Sequence, residues 1–152
     1  MSAPGQRGPV MFAYDGTELA KLAIGRAGEL LSGGREAVVV CVWRPFDVGF
    51  VPLSGLQIDA TQVEQIREAA EQTAATGADL AREAGFDARS EAHEANPAWK
   101  GLVEAAERHG AELIVFGSHG RHGVAGALLG SVAGAVSSHT RCDVLIVHRD
   151  DA

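Results

Sequence analysis

The chain has 152 residues, of which 46% are hydrophobic and 22% charged, a balance typical of one soluble globular domain with a sizeable core. Its formal net charge of −7 opposes a whole-surface attraction to nucleic acid or to anionic membranes, so neither is predicted as a partner. The only two cysteines, Cys41 and Cys142, lie in or beside apolar runs. This favours buried, reduced thiols in a cytoplasmic protein over a disulfide framework.

The first half of the chain alternates apolar runs with helical patterns. After a flexible tail over 1–8, a single domain is predicted over 9–152. The predicted elements are a strand over 10–14 that stops at Asp15-Gly16, a helix from Thr17 as N-cap to Gly33, a strand over 37–43, an irregular stretch over 44–59 and a long helix over 60–84. Leucines 30 and 31 are assigned to the apolar face of the first helix. The run over 37–43 is apolar on both faces, which indicates a strand covered on both sides.

The second half continues the same alternation. The predicted elements are a weaker strand over 86–92, a helix from Asn96-Pro97 to His109, a strand over 113–116 cut off by Gly117, a helix beginning near Ser131 and a strand over 144–147. Asn96 is the predicted N-cap of the helix that it begins. Strands that alternate with helices imply parallel pairing and right-handed crossovers. The sequence therefore predicts an α/β fold in which helices cover both faces of a parallel sheet.

A glycine-rich loop runs from Gly117 to Ser131, after a buried strand and before a helix. Open α/β sheets bind ligands at this position. Glycines let backbone N–H groups approach an anion, and the start of the helix adds partial positive charge. Ser131 would add a hydroxyl donor, and Arg121, His119 and His122 would add positive charge. A phosphate site is one interpretation of this loop, and a purely structural tight turn is the other.

Other common sites do not match the sequence. A Walker loop needs Gly-Lys-Ser/Thr, but the only lysines are Lys21 and Lys100, far from the loop. A dinucleotide fingerprint should follow the first strand, where the chain has Asp15-Gly16-Thr17 instead. No Cys, Asp or Glu lies near His119 and His122 in the sequence to complete a metal site, so none is predicted.

The spacing Gly117-x2-Gly120-x9-Gly130-Ser131 resembles the G-2x-G-9x-G-(S/T) signature of the ATP-binding branch of the universal stress protein family. The resemblance covers about residues 9–148. It implies a three-layer α/β/α sandwich, Rossmann-like and adenine nucleotide hydrolase-like, with a five-stranded parallel sheet of order 3-2-1-4-5. This order would place the ends of strands one and four side by side, so that Asp15 and Gly117 would flank one crevice.

The resemblance also implies which residues hold ATP, with Mg²⁺ able to enter alongside the phosphates. The adenosine end would be lined by Ala13, Asp15 and Val42. Asp15 would accept hydrogen bonds from the adenine amino group or the sugar, and Val42 would offer its backbone to the base edge. Ribose and phosphates would be held by Phe116, Gly117, Gly120, Gly130, Ser131 and Val132, with Arg121 adding charge. Two plainer interpretations stay open, in which Asp15 is a helix-capping turn residue and Ser131 is only an N-cap.

The function implied is that of a cytoplasmic ATP-binding stress-response protein, a nucleotide-dependent regulatory module for an unknown protein partner. Hydrolysis is expected to be slow at most, because the loop lacks Asp and Glu to act as a general base. The alternatives are a genuine ATPase or phosphoryl-transfer enzyme, and a module that binds AMP, cyclic AMP or no nucleotide. Some family members dimerise by pairing their last strands antiparallel, and the apolar strand Val144–Val147 predicts a homodimer through this edge.

Overall fold

The computed structural model describes residues 7–31, 33–45, 60–119 and 129–149. The elements in chain order are β1 (Val10–Ala13), α1 (Glu18–Leu30), β2 (Glu36–Trp43), α2 (Ala60–Glu83), β3 (Asp87–Glu94), α3 (Ala98–His109), β4 (Leu113–Gly117), α4 (Ser131–His139) and β5 (Asp143–Val147). The predicted strands and helices are confirmed, with small shifts at their ends. Most of the predicted tail lies outside the described residues, as do most of the irregular stretch over 44–59 and the middle of the glycine-rich loop.

The five strands form one parallel sheet in the order β3-β2-β1-β4-β5, which confirms the topology that the resemblance implied. The central strand is β1, whose Met11 pairs with Val38 of β2 on one side and with Ile114 of β4 on the other. The chain runs outwards from β1 to β3 in the first half and from β4 to β5 in the second. The carboxyl ends of β1 and β4 therefore lie side by side, at the switch point where open α/β sheets bind ligands.

Helices cover both faces of this sheet. Successive side chains of a strand point to opposite faces, so Val10 and Phe12 pack towards α1 and α2, whereas Met11 packs towards α3 and α4. Burying a large apolar side chain such as Phe12, which is 1% exposed, stabilises the fold by roughly 1.5–3 kcal/mol. The fold is a three-layer α/β/α sandwich. Within the described residues, no helix is both long and apolar enough to cross a membrane.

Two predictions about buried side chains need correction. Leu30 is 62% exposed and does not belong to the buried face of α1. Leu31, four residues after the buried Ala27, continues that face instead and packs against the core. Cys41 is buried as predicted, whereas Cys142 is half-buried, and neither forms a disulfide within the described residues.

The start of α3 also differs from the prediction. Asn96 is not its N-cap; Pro97 occupies that position, with an extended backbone (φ −74°, ψ 161°) after a cis peptide bond. An N-cap residue has non-helical dihedral angles, and Pro97 adopts them, so the helix begins one residue later than expected. The Oδ1 of Asn96 accepts a hydrogen bond from Nη1 of Arg44 at 3.4 Å instead of capping the helix.

Candidate functional site

A cavity of about 210 Å³ lies at the carboxyl ends of β1, β2 and β4, against the starts of α3 and α4. Eight of the ten predicted site residues line it: Ala13, Asp15, Val42, Phe116, Gly117, Gly130, Ser131 and Val132. The other two, Gly120 and Arg121, lie outside the described residues. The sheet topology thus brings together residues that are up to 119 positions apart in the sequence, from Ala13 to Val132, as the strand order requires.

Asp15 forms one side of the cavity, where β1 gives way to α1. Its Oδ1 accepts two hydrogen bonds from Thr17, one from the backbone N–H at 3.1 Å and one from the hydroxyl at 2.6 Å. Thr17 is the N-cap of α1, as predicted, and its hydroxyl accepts a hydrogen bond from the N–H of Ala20 at 3.2 Å. Gly16 makes the turn with a φ of +83°, a conformation that favours glycine. Asp15 therefore supports a helix cap and lines the cavity at the same time.

The start of α4 also lines the cavity. Gly130 is the N-cap and carries no side chain to accept from the helix, so the alternative interpretation of Ser131 as only an N-cap is wrong: Ser131 is the first helical residue, as the predicted helix start has it. The first amides of a helix have no partner within it, because the preceding turn is missing. No acceptor for the N–H groups of Ser131, Val132 and Ala133 lies among the described residues. This helix start presents unpaired donors and the positive end of a helix dipole to the cavity.

Ser118 ties the two ends of the glycine-rich loop together. Its N–H donates to the carbonyl of Val147 at 2.8 Å, and its carbonyl accepts from the N–H of Gly130 at 2.6 Å. The first bond extends the sheet beyond β4, and the second holds the start of α4 against it. Whatever conformation the intervening residues adopt, these bonds fix where α4 begins relative to β4.

Packing alone requires a glycine at position 117, which also lines the cavity. A β-carbon there would lie 2.7 Å from Cγ of Leu19, a distance that real β-carbons do not show. Because α1 passes so close to the end of β4, any larger residue would push the two elements apart. The spacing signature identifies this glycine as part of a phosphate loop but contains no signal for this contact.

The cavity has an apolar wall that the sequence analysis missed. Ala98 and Leu102 from the first turns of α3 line it, together with Tyr14, which is 4% exposed. Burial raises the pKa of the Tyr14 hydroxyl above its ordinary value. The signal that could have identified Ala98 and Leu102 is their i, i+4 spacing at the start of a helix that follows the end of a strand. This wall suits a flat, largely apolar ligand group.

A family model for the universal stress protein family matches residues 7–148. The universal stress protein Rv2005c of Mycobacterium tuberculosis is 33% identical over 150 residues, which cover 95% of this chain and 46% of that protein. The chain thus spans about half the length of the curated relatives of this kind.

Solved structures share the fold. The crystal structure of a universal stress protein in complex with cAMP has a TM-score of 0.65 and 25% identity, and the alignment covers 95% of this chain and 99% of that one. The structure of the hypothetical protein MJ0577 has a TM-score of 0.76 and 20% identity, with 97% and 99% of the two chains covered.

Proposed function

The chain belongs to the universal stress protein family, and from this premise we propose that its cavity binds an adenine nucleotide, ATP in the cell. One observation carries the proposal. The cavity joins a carboxylate, Asp15, to the uncapped amides of α4 across the switch point of the sheet. Those two sides match the two ends of a nucleotide, one rich in hydrogen-bond donors and one negatively charged. A related protein of the same fold, 25% identical, binds cAMP in its crystal structure, which supports a ligand of this class.

The adenosine end lies between Asp15 and the apolar wall. Ala98 and Leu102 would contact the faces of the base, and burial of a flat ring against them is favourable, while Val42 would offer its backbone to the base edge. The carboxylate of Asp15 would accept hydrogen bonds from the adenine amino group or from the ribose hydroxyls. Since Thr17 already fixes one oxygen of this carboxylate, the group is oriented before the ligand arrives.

The phosphates would lie at the start of α4. The N–H groups of Ser131 and Val132 would donate to phosphate oxygens, and the hydroxyl of Ser131 would add a further donor. Helix starts bind phosphate in this way because the unpaired amides and the helix dipole both favour negative charge. Gly120 and Arg121 complete the proposed set. Mg²⁺, which prefers phosphate oxygens to an all-protein site, would enter with the nucleotide.

We place this protein among regulators rather than efficient enzymes. Asp15 is the only carboxylate among the described residues that line the cavity, and its Oδ1 is held in the cap of α1. A general base must reach the proton that it removes, and this carboxylate is assigned in the proposal to the adenosine rather than to the phosphates. Slow hydrolysis is the most that this arrangement supports. ATP turnover that is lost in Asp15→Ala would instead favour the alternative of a genuine ATPase.

The regulatory output proposed is conformational. Bound phosphates would order the loop between Gly117 and Ser131 and change a surface that a protein partner or a second subunit recognises. Leu129 and Val132 flank the proposed phosphate site and are each 37% exposed, so they add apolar area to the surface that this change would alter. A nucleotide shifts the equilibrium between two states of the loop only if it binds one of them more tightly than the other. The cytoplasm, where ATP is abundant, is the proposed location.

A homodimer through β5 is part of the proposal, and the two edges of the sheet differ in a way that supports it. The edge strand β3 carries charge: Glu91 accepts hydrogen bonds from Arg108 at 2.9 Å and lies 3.1 Å from Nε2 of His109. Arg108 first, then His109, holds the pKa of Glu91 down to about 2. The edge strand β5 offers apolar, half-buried side chains over 144–146 instead. Because charged edges resist pairing and apolar ones invite it, a second copy would pair along β5.

Mass spectrometry of the ligand released from purified protein, with calorimetry against ATP, ADP, AMP and cyclic AMP, tests the proposed function. We expect released ATP or ADP and measurable ATP binding. Tighter binding of AMP or cyclic AMP than of ATP would favour the alternative of a monophosphate-binding module. If the protein binds none of these four nucleotides, the proposed function is wrong.

A further inference from the structure

The imidazole of His119 lines the cavity and has one nitrogen for which the described residues supply no partner. Its Nδ1 lies 3.2 Å from the hydroxyl oxygen of Ser118, but its Nε2 is buried and has no hydrogen-bond partner in the described part of the chain. Buried polar atoms are nearly always paired, since an unpaired one loses its hydration without compensation. Two other side-chain nitrogens in the described residues share this condition, in Arg35 and His93, but neither residue lines the cavity.

The contact with Ser118 is compatible with a ring that carries hydrogen on Nε2. Ser118 is 3% exposed, and within the described residues its hydroxyl contacts Nδ1 of His119. The roles in this contact depend on the tautomer, and we assign the one in which the hydroxyl donates and Nδ1 accepts, so that the neutral ring carries its hydrogen on Nε2. A protonated ring carries hydrogen on Nε2 as well. In either state Nε2 is a donor that awaits an acceptor.

The position of the ring indicates what that acceptor is. His119 follows Ser118, whose carbonyl accepts from the N–H of Gly130, and His119 lines the same cavity as the first residues of α4. The unpaired amides there and the helix dipole favour an anion, and an imidazole N–H adds to the same preference. Asp15, which also lines the cavity, is an acceptor and suits the donors of the base and sugar. A donor on the α4 side therefore suits phosphate oxygens.

We propose that Nε2–H of His119 donates to a phosphate oxygen of the bound nucleotide, which makes His119 a ligand-binding residue outside the glycine spacing signature. The inference rests on the proposed nucleotide site and extends it. It also supplies an acceptor for a buried nitrogen that has none among the described residues. Nucleosides, which lack the phosphate, would not satisfy it.

Two substitutions separate the two ring nitrogens. In His119→Asn the side-chain oxygen can take the place of Nδ1 and accept from Ser118, but the donor at Nε2 is lost. In His119→Gln the longer side chain can place its NH₂ group near Nε2, but the acceptor for Ser118 is lost. We expect His119→Asn to bind ATP about 10- to 100-fold more weakly with an unchanged melting temperature of the ligand-free protein. His119→Gln should keep most of the affinity and melt at a lower temperature.

Calorimetry with ATP, AMP and adenosine, and thermal unfolding without ligand, give the readouts. Adenosine should bind wild type and His119→Asn equally. If His119→Gln, the variant expected to melt at the lower temperature, binds ATP more weakly than His119→Asn, the result would overturn the inference in favour of a structural role for His119. Equal ATP affinity in wild type and His119→Asn would overturn it too, as would an equal loss for adenosine. If wild type itself binds none of these ligands, the proposed function fails, a result distinct from all of these.

Discussion

Replacing Ser131 with proline removes a proposed phosphate donor while leaving the helix that carries it intact. Ser131 is the first helical residue of α4, a position at which proline is favoured because its missing N–H would be unpaired in any case. The residue before a proline must be extended, and Gly130 already is, with φ −69° and ψ 165°. Ser131→Ala is the matched control, since it removes the hydroxyl but keeps the backbone N–H.

The size of the effect follows from the type of hydrogen bond. A bond from a backbone N–H to a charged phosphate oxygen contributes about 1.5–3 kcal/mol, which corresponds to roughly a 10- to 150-fold change in affinity. Proline loses this bond and the hydroxyl together, and its ring also occupies the space in front of the missing hydrogen. We therefore expect Ser131→Pro to bind ATP at least about tenfold more weakly than Ser131→Ala.

Calorimetry with ATP and adenosine measures the two affinities, and thermal unfolding of the ligand-free variants shows whether α4 is intact. The melting temperature of Ser131→Pro should equal or exceed that of Ser131→Ala, and adenosine should bind both alike. Equal ATP affinities of two well-folded variants would show that the amide at position 131 is not a phosphate ligand. The central argument about the uncapped helix would then be refuted.

Three further predictions concern the other side of the cavity, the sheet edge and the packing of the helices. Asp15→Asn keeps one oxygen to support the cap of α1 but replaces the other with an NH₂ donor. Calorimetry should therefore show ATP binding about 2- to 12-fold weaker, with a similar melting temperature. An unchanged ATP affinity would show that Asp15 only supports the cap. Val144→Lys places a charge on the β5 strand and should give a monomer in sedimentation, whereas Ser90→Lys on β3 should remain a dimer. Because Val144 also packs against the core, thermal unfolding has to show that Val144→Lys is folded. The same oligomeric state in two folded variants would contradict the β5 interface. Gly77→Ala brings a β-carbon within 2.7 Å of Cδ1 of the buried Tyr14 and should lower the free energy of unfolding by about 1–3 kcal/mol. Gly25 has open space around it, so Gly25→Ala should raise the free energy of unfolding by about 0.5–1 kcal/mol. Urea unfolding of both variants checks the last pair, and similar effects would refute the packing argument.

The order of elements could be predicted because their patterns are strong locally. The run over 37–43 is apolar on both faces and becomes a strand that is buried on both faces. The long helix over 60–83 has few residues that favour any other structure, and its prediction is accurate almost to the residue. Strand order, in contrast, has no local signal, since any parallel arrangement would suit these strands. It came from the resemblance alone.

The site could be predicted only in outline, because its details depend on contacts between distant segments. The sequence indicates a glycine at 117 but gives no sign that Leu19 would fill the space beside it. The residue at 119 could be noted as a nearby positive charge, whereas its unpaired nitrogen depends on burial by the folded chain. Asn96 before a proline is a good local capping pattern, and tertiary structure overrides it.

The helices α1 and α4 both begin at the cavity, but only α1 has an N-cap side chain that accepts from its first turn. At α1 the N–H of Ala20 finds an acceptor in the hydroxyl of Thr17, which caps the helix and is held in place by Asp15. At α4 glycine replaces the capping residue, which leaves the helix start without the side-chain acceptor that Ser, Thr, Asn or Asp would supply. A phosphate group would supply that acceptor. Ligand that binds only the folded state then stabilises the protein, by about 2.7 kcal/mol at a free concentration of 100 times Kd. The absence of a capping side chain at α4 therefore fits a binding site in which a phosphate of the ligand takes the place of the capping group.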